Sequence, residues 1–303
     1  MENSDPFTQL VDTLAVIENQ NRILCLLAVY LGQKADQNTI QGITDILSSL
    51  LGKHEQFTTT KTRGLITSLV NGGILEREIE KVISSTKVSF HSISSLGYIV
   101  LAYVLLTYVV KTDPASIKWD TKKFQDYADS EEKMILFSID TLIAQDSTLK
   151  RVYSSLRTGK DPRKIKLSKP LIIPVTKVFS GNTGYRVFKI FEELIWDYLH
   201  FNTGFTKSGL EKSTEIPTAL TGSLKKLDGL FLQQENWGKE RRYRLSIQGI
   251  FILPIFALLI KHFSVDKSLF PSLKLARLEK DENYWVSLTK LGHSFFKTVY
   301  RIS

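Results

Sequence analysis

The feature that most constrains this chain is a short junction that occurs three times. An apolar residue is followed by Ser or Thr, two further residues and Gly. The instances are Ile93-Ser94-Ser95-Leu96-Gly97, Leu245-Ser246-Ile247-Gln248-Gly249 and Leu288-Thr289-Lys290-Leu291-Gly292. A hydroxyl at this position can take up backbone N–H groups that the start of a helix leaves unpaired. Each instance follows a stretch that reads as the returning strand of a hairpin. Recurrence of the same junction indicates a repeated supersecondary unit.

The residues upstream of the first two junctions repeat as well. In the first copy, Ile17, Ile23, Leu24, Leu27 and Leu31 recur at helical spacing over 15–31, and Gly32 ends the helix. A second helix is expected over 39–51. A third starts after Thr58-Thr59-Thr60 and runs to Asn71-Gly72-Gly73. Ile74 to Glu78 and Lys87 to Ile93 then form a hairpin, and an apolar helix follows. In the second copy, Tyr185 to Phe201 is a helix, Thr206 caps a short one through Ser213, and Pro217 suits the first turn of the next. Leu220, Leu224 and Leu227 mark that third helix. Gly229 to Leu232 begins a strand, Glu235 to Lys239 turns, and Arg241 to Leu245 returns. Between the copies, helices are expected at 119–128, 130–145 and 147–157, followed by the basic, proline-punctuated stretch Gly159 to Pro170, which reads first as a solvated linker and otherwise as a phosphate contact. A last hairpin, Leu273 to Arg277 with Tyr284 to Leu288, and a helix close the chain, with too little sequence for a third complete unit.

Three regions follow: 1–110 with a long apolar helix, a helical and basic connecting region over 111–183, and 184–303 with an extra hairpin and helix. The fold class expected is mainly α with small β-hairpins. The third-helix segments Thr60 to Arg77 and Thr218 to Leu232, the strand Tyr243-Arg244-Leu245-Ser246-Ile247-Gln248-Gly249 and the segment Phe205 to Thr214 resemble winged helix-turn-helix domains of MarR-like and related regulators. The resemblance covers about 15–110 and 185–262. It implies two such domains in tandem, joined by the helical middle region, each presenting a helix to the DNA major groove and a wing to phosphates.

Charge qualifies that reading. The chain carries 40 Lys+Arg against 31 Asp+Glu, a net of +9. Residues 1–110 hold 8 basic against 10 acidic residues, 111–183 hold 14 against 9, and 184–303 hold 18 against 12. The surplus that suits a polyanion therefore lies in the middle and C-terminal parts. In the C-terminal copy, Thr218, Thr221, Lys225 and Lys226 are expected to face DNA, with Lys239, Arg241, Arg242 and Arg244 forming a basic wing. Arg242 and Arg244 share one strand face and Tyr243 and Leu245 the other. In the N-terminal copy the candidates are Thr60, Lys61 and Arg63, with Thr59 and Thr67 beside them. Its wing holds Glu76, Glu78 and Glu80, which weakens phosphate contact and leaves a protein partner as an equal alternative for that unit.

Enzyme chemistry finds no support in the residues. Gly181-Asn182-Thr183-Gly184 lacks the Lys-Ser/Thr of a phosphate-binding loop. The five histidines, His54, His91, His200, His262 and His293, show no metal-ligand spacing. Glu131-Glu132 and Glu192-Glu193 are adjacent on helices and so diverge. No cofactor and no metal are expected. Cys25 is the single cysteine, which excludes an intramolecular disulfide and fits a buried thiol in a reducing compartment. No signal peptide is read at Met1 to Asp5. The uncharged runs around 96–110 and 247–260 follow equivalent junctions, so packing on the core or on a second copy of the chain explains both better than a membrane span does.

The function expected is a DNA-binding transcriptional regulator, cytoplasmic and nucleoid-associated, or nuclear in a eukaryotic cell, with double-stranded DNA as partner. The alternatives are a plasmid or viral replication initiator or partition protein, and a winged-helix assembly subunit of transcription or replication machinery.

Overall fold

The computed structural model describes residues 6–51, 56–82, 86–112, 147–158, 177–179, 183–215 and 220–246, with isolated residues at 139, 143, 160, 181, 249, 252, 259 and 262. The protein is mainly helical, with two small antiparallel sheets of three strands each. The chain divides into two compact units. One comprises Val16–Val109 with Ala115–Val175, and the other Met1–Ala15, Val110–Pro114 and Thr176–Ser303. The first helix, α1 (Pro6–Val16), thus groups almost entirely with the C-terminal unit, whereas the sequence division assigns it to the N-terminal one.

The helix expected over 15–31 is interrupted. Ile17 to Asn19 leave the helix, and α2 (Gln20–Gly32) starts afresh behind Asn19. The Asn19 carboxamide oxygen accepts from the N–H groups of Asn21 and Arg22 at 3.0 and 3.3 Å. Asn competes with the backbone for such bonds, and this favours a cap over a helix interior. Helix α2 is buried on all sides from Ile23 to Val29. Burial pushes the Cys25 thiol up to about 12, so it is an unreactive core group.

The N-terminal unit continues through β1 (Ala35–Asp36), α3 (Gln37–Leu50), α4 (Thr59–Asn71), β2 (Leu75–Val82), β3 (Thr86–Ile93) and α5 (Ser95–Thr112). Asp36 caps α3 by accepting from the Thr39 N–H at 2.7 Å, and Thr58 caps α4 by accepting from Lys61 N–H. The sheet order is β1-β3-β2, with Ala35 opposite His91 and Leu75 opposite Ile93. In α5 the side chains of Leu96 and of Ile99 to Leu105 are buried by the chain itself. Among the described residues no single helix is long and apolar enough to cross a membrane. Helix α6 (Ser147–Arg157) packs on α2, where Tyr153 stacks on Tyr30 at 6.4 Å between ring centroids.

The C-terminal unit repeats the order: α7 (Gly184–His200), β4 (Phe205–Thr206), α8 (Lys207–Thr214), α9 (Leu220–Leu227), β5 (Leu232–Trp237) and β6 (Glu240–Leu245). Its sheet order is β4-β6-β5, with Phe205 opposite Tyr243 and Leu232 opposite Leu245. Strand β5 runs through Trp237, and the turn is the two residues Gly238-Lys239, where the sequence suggests a longer turn from Glu235. Gly238 adopts a φ of +61°, the backbone state that a tight two-residue hairpin turn demands. The core holds Phe179, Phe188, Phe191 and Phe231, with Phe191 and Phe231 at 4.6 Å between centroids. The expected helices at 119–128 and 130–145, Pro217, the linker beyond Lys160, and the closing hairpin with its third junction lie outside the described residues, apart from Ile139 and Ile143.

Both described junctions are built alike. Ser94 Oγ donates to the Gly73 carbonyl at 2.6 Å and accepts from Gly97 N–H at 2.9 Å. Ser246 Oγ donates to the Leu230 carbonyl at 2.6 Å and accepts from Gly249 N–H at 2.9 Å. The Ser94 N–H donates to Ile74 O, and the Ser246 N–H to Phe231 O. A Cβ at Gly97 would stand 2.1 Å from Ile74 O, and one at Gly249 would stand 2.8 Å from Phe231 O. In each copy the same serine thus joins the exit of the third helix, the end of the hairpin and the start of the next helix.

Ser94→Ala and Ser246→Ala should each lower unfolding free energy by about 1–2 kcal/mol, since each removes a cap and strands buried carbonyls. Gly97→Ala should cost about 2–4 kcal/mol, because the obstacle is backbone and cannot rotate away. Urea unfolding of the full chain measures all three. A cost for Gly97→Ala below that of Ser94→Ala would contradict the packing described.

Candidate nucleic-acid interface

The outward face of the third helix is the first surface to consider, because its inner face is used for packing. In α4 the buried positions are Thr62, Ile66 and Leu69. Thr60, Arg63, Gly64, Thr67 and Asn71 are exposed at spacings that put them on one face. In α9 the buried positions are Leu220, Ser223, Leu224 and Leu227, and Thr221, Gly222 and Lys225 are exposed. The buried positions of the two helices share one spacing, Ile66 and Leu69 in α4 and Leu224 and Leu227 in α9. Aligning them there pairs Thr62 with Leu220 and Ile66 with Leu224 on the inner side. Arg63, Gly64 and Thr67 then correspond to Thr221, Gly222 and Lys225 on the outer side.

Neither outward glycine is explained by the chain. A Cβ at Gly64 or at Gly222 would meet nothing within 4 Å, and neither has a positive φ. An interior helical glycine costs about 1 kcal/mol relative to alanine. Gly64 stands in the interior of α4, and Gly222 in the first turn of α9 at the corresponding place on the same face.

The sequence candidates fall into three groups. Thr60, Arg63, Thr221, Lys225, Lys239 and Arg241 are exposed, and among the described residues no hydrogen bond or ion pair engages their side chains. Lys61 and Lys226 are half-buried and engaged: the Lys61 ammonium lies 4.4 Å from the centre of the Phe57 ring, and Lys226 Nζ donates to Thr183 Oγ1 at 2.6 Å. Thr218 lies outside the described residues.

Arg242 and Arg244 form the third group. Tyr243 and Leu245 point inward and the two arginines share the other face, as the strand alternation requires. Both guanidiniums are engaged within the unit through their terminal nitrogens, while the buried Nε of each has no partner among the described residues. Arg242 donates to Thr203 O at 3.1 Å and pairs with Glu240 at 3.3 Å. Arg244 pairs with Glu235 at 3.0 Å and donates to Asn202 O. Both lie over Trp237, at 5.1 and 5.7 Å from the ring centre. Hydrogen bonds from Trp237 and Arg244 hold the Glu235 carboxyl below the usual carboxylate range. These bonds fasten the hairpin to the loop after α7, where buried Asp197 also accepts from the Thr203 and Gly204 N–H groups. Sequence pattern alone does not reveal this, because Glu235 to Lys239 reads as a turn.

The N-terminal hairpin is arranged differently. Lys34 pairs with Glu78, and Arg77 donates to Ser89 Oγ at 2.9 and 3.1 Å. His91, missed as a site residue, is 5% exposed; burial and the neighbouring Arg77 both hold its imidazole below the ordinary histidine range. Among the described residues no cluster of three or more His, Cys, Asp or Glu could hold a metal ion.

Arg244→Ala should destabilise the C-terminal unit by about 1–2 kcal/mol, because it removes the ion-pair partner of Glu235 and strands the Asn202 carbonyl. Lys225→Ala and Arg241→Ala should stay within about 0.5 kcal/mol of the wild type. Glu235 should lose its share of stability as pH falls: its folded value is depressed, so the contribution is present above the unfolded value and disappears as pH drops through the folded one. Thermal unfolding of the variants at pH 7 and pH 3 checks this, with the gap between Arg244→Ala and wild type expected to narrow at pH 3.

No protein-family model, no curated protein and no solved structure matches this chain.

Proposed function

We propose that the chain is a DNA-binding protein made of two winged helix-turn-helix units, acting as a transcriptional regulator. The element order helix, short strand, helix, helix, hairpin and the sheet order β1-β3-β2 suit that class of unit, and so does their repetition in the second half. The observation that carries the reading is the pair of outward glycines, Gly64 and Gly222. A glycine kept at a stability cost on an open face is understood if another surface approaches the helix backbone closely. A helix lying in the major groove is approached in this way, with Thr60, Arg63, Thr67 and Asn71, or Thr221 and Lys225, directed at base edges and phosphates.

Phosphate contact at the C-terminal wing is assigned to Lys239 and Arg241. Arg242 and Arg244 shape that wing from within. The exposed Glu76 and Glu78 favour a second reading for the N-terminal hairpin, contact with a protein partner, as in an assembly subunit or a replication initiator. One protected site in footprinting supports the regulator; clustered repeats support the initiator; no DNA binding at low salt overturns both.

Gly64→Ala and Gly222→Ala should have opposite effects on stability and on binding. Each should raise unfolding free energy by about 0.5–1 kcal/mol, since the methyl meets open space. Each should weaken DNA binding about fivefold or more, which fluorescence anisotropy on genomic fragments would read. Lys239→Ala with Arg241→Ala should weaken binding to all sequences alike and reduce the salt slope by about 2. Tighter or unchanged binding by both glycine variants would remove the assignment of this face.

A further inference from the structure

The N-terminal unit contains a half-open cleft of about 660 Å³ between α4, the start of α3 and the β2-β3 hairpin. Its walls bring together three cations from three elements: Arg63 of α4, Arg77 of β2 and Lys87 of β3. Asp36 supplies the one carboxylate, already committed to the Thr39 N–H at the start of α3. The remaining lining is polar for the most part, including Asn71 and Ser89. A basic cleft of this size takes a small ligand rather than a lone ion.

His91 lies in the same wall. The Ala35 carbonyl, across the β1-β3 pairing, favours the proton on one ring nitrogen. The other, Nδ1, is buried and has no hydrogen-bond partner. A neutral imidazole donating from one nitrogen presents a lone pair on the other. The cleft thus offers cations for an anion and, in the same wall, an unsatisfied acceptor for a hydrogen-bond donor. A buried polar atom left unpaired is costly, and a ligand that supplies the donor removes that cost.

We infer that this cleft binds a nucleotide, its phosphate held by Arg63, Arg77 and Lys87 and a hydroxyl or amino hydrogen donated to His91 Nδ1. The same chemistry is offered by a free nucleotide and by a nucleotide unit within a nucleic acid. The site does not depend on α4 reading DNA.

Calorimetric titration of the full chain with adenosine 5′-monophosphate, ribose 5-phosphate, inorganic phosphate and a 20-base-pair duplex tests it. The monophosphate is expected to bind about tenfold or more tightly than inorganic phosphate, which cannot reach both parts of the cleft at once. Arg77→Gln and Lys87→Gln should each weaken the monophosphate about fivefold or more, as expected on losing a charge-assisted contact. In wild-type protein the nitrogen-15 resonance of His91 Nδ1 should move on titration, a readout that needs no folded variant at position 91. Duplex that displaces the monophosphate and is itself weakened by Arg77→Gln assigns the site to nucleic acid. Monophosphate binding that duplex leaves untouched assigns it to a free nucleotide. Equal affinity for the monophosphate and inorganic phosphate, an unmoved His91 resonance, or unchanged affinity in both variants overturns the inference. Monophosphate binding in a chain that binds no duplex would leave this site standing and remove the function proposed above.

Discussion

The three-way serine junction is the interaction on which each unit depends. A third helix followed by a hairpin leaves carbonyls unpaired at the helix exit and N–H groups unpaired at the next helix start. One hydroxyl serves both, at Ser94 and at Ser246, because it donates and accepts at once. The glycine three residues on then lets the new helix press against the carbonyl of Ile74 or Phe231. This fixes the hairpin relative to the helix before it. The first strands, Ala35–Asp36 and Phe205–Thr206, pair two residues back from Ile93 and Leu245 in the same register in both copies. The helix caps Asp36 and Thr206 follow from that placement.

Most of this was legible in the sequence because it rests on local chemistry. The Thr58 region, Thr206, Gly32 and the two junctions are caps or stops, and the apolar spacing of α3, α4, α7 and α9 is regular. The break at Ile17 to Asn19 was not legible, since an apolar period continues across it and only a side-chain cap divides it. The length of β5 was missed for a related reason. Glu235, Asn236 and Trp237 look like turn residues until Arg242, Arg241 and Glu240 are placed opposite them, and that pairing is tertiary.

The candidate site was less legible than the fold, and the reason is electrostatic. A run such as Lys239 to Arg244 shows how many cations a segment has but not how many are already engaged. Two of its arginines are held by Glu235, Glu240 and loop carbonyls. Of the sequence candidates, the cations without a partner among the described residues are spread more thinly: Lys225, Lys239 and Arg241 in one unit, and Arg63 in the other. Conversely, the N-terminal unit is acidic in total, yet three cations from separate elements meet around one cleft. Net charge by segment misjudges both units, because binding responds to local and unpaired charge.

The outward glycines carry a different kind of information. Polar side chains on an exposed helix face are ordinary, and they say little about partners. An exposed glycine in mid-helix weakens the helix without easing any contact within the chain. At Gly64 no neighbour is close and the backbone is ordinary, so neither packing nor conformation calls for it. The same holds at Gly222, at the corresponding place in a helix whose other outward residues differ. Between the copies, arginine stands against threonine and threonine against lysine, while the missing side chain is common to both. Under the proposed function the shared requirement is one of approach distance, and the differing residues around it are where the two units would differ in what they contact.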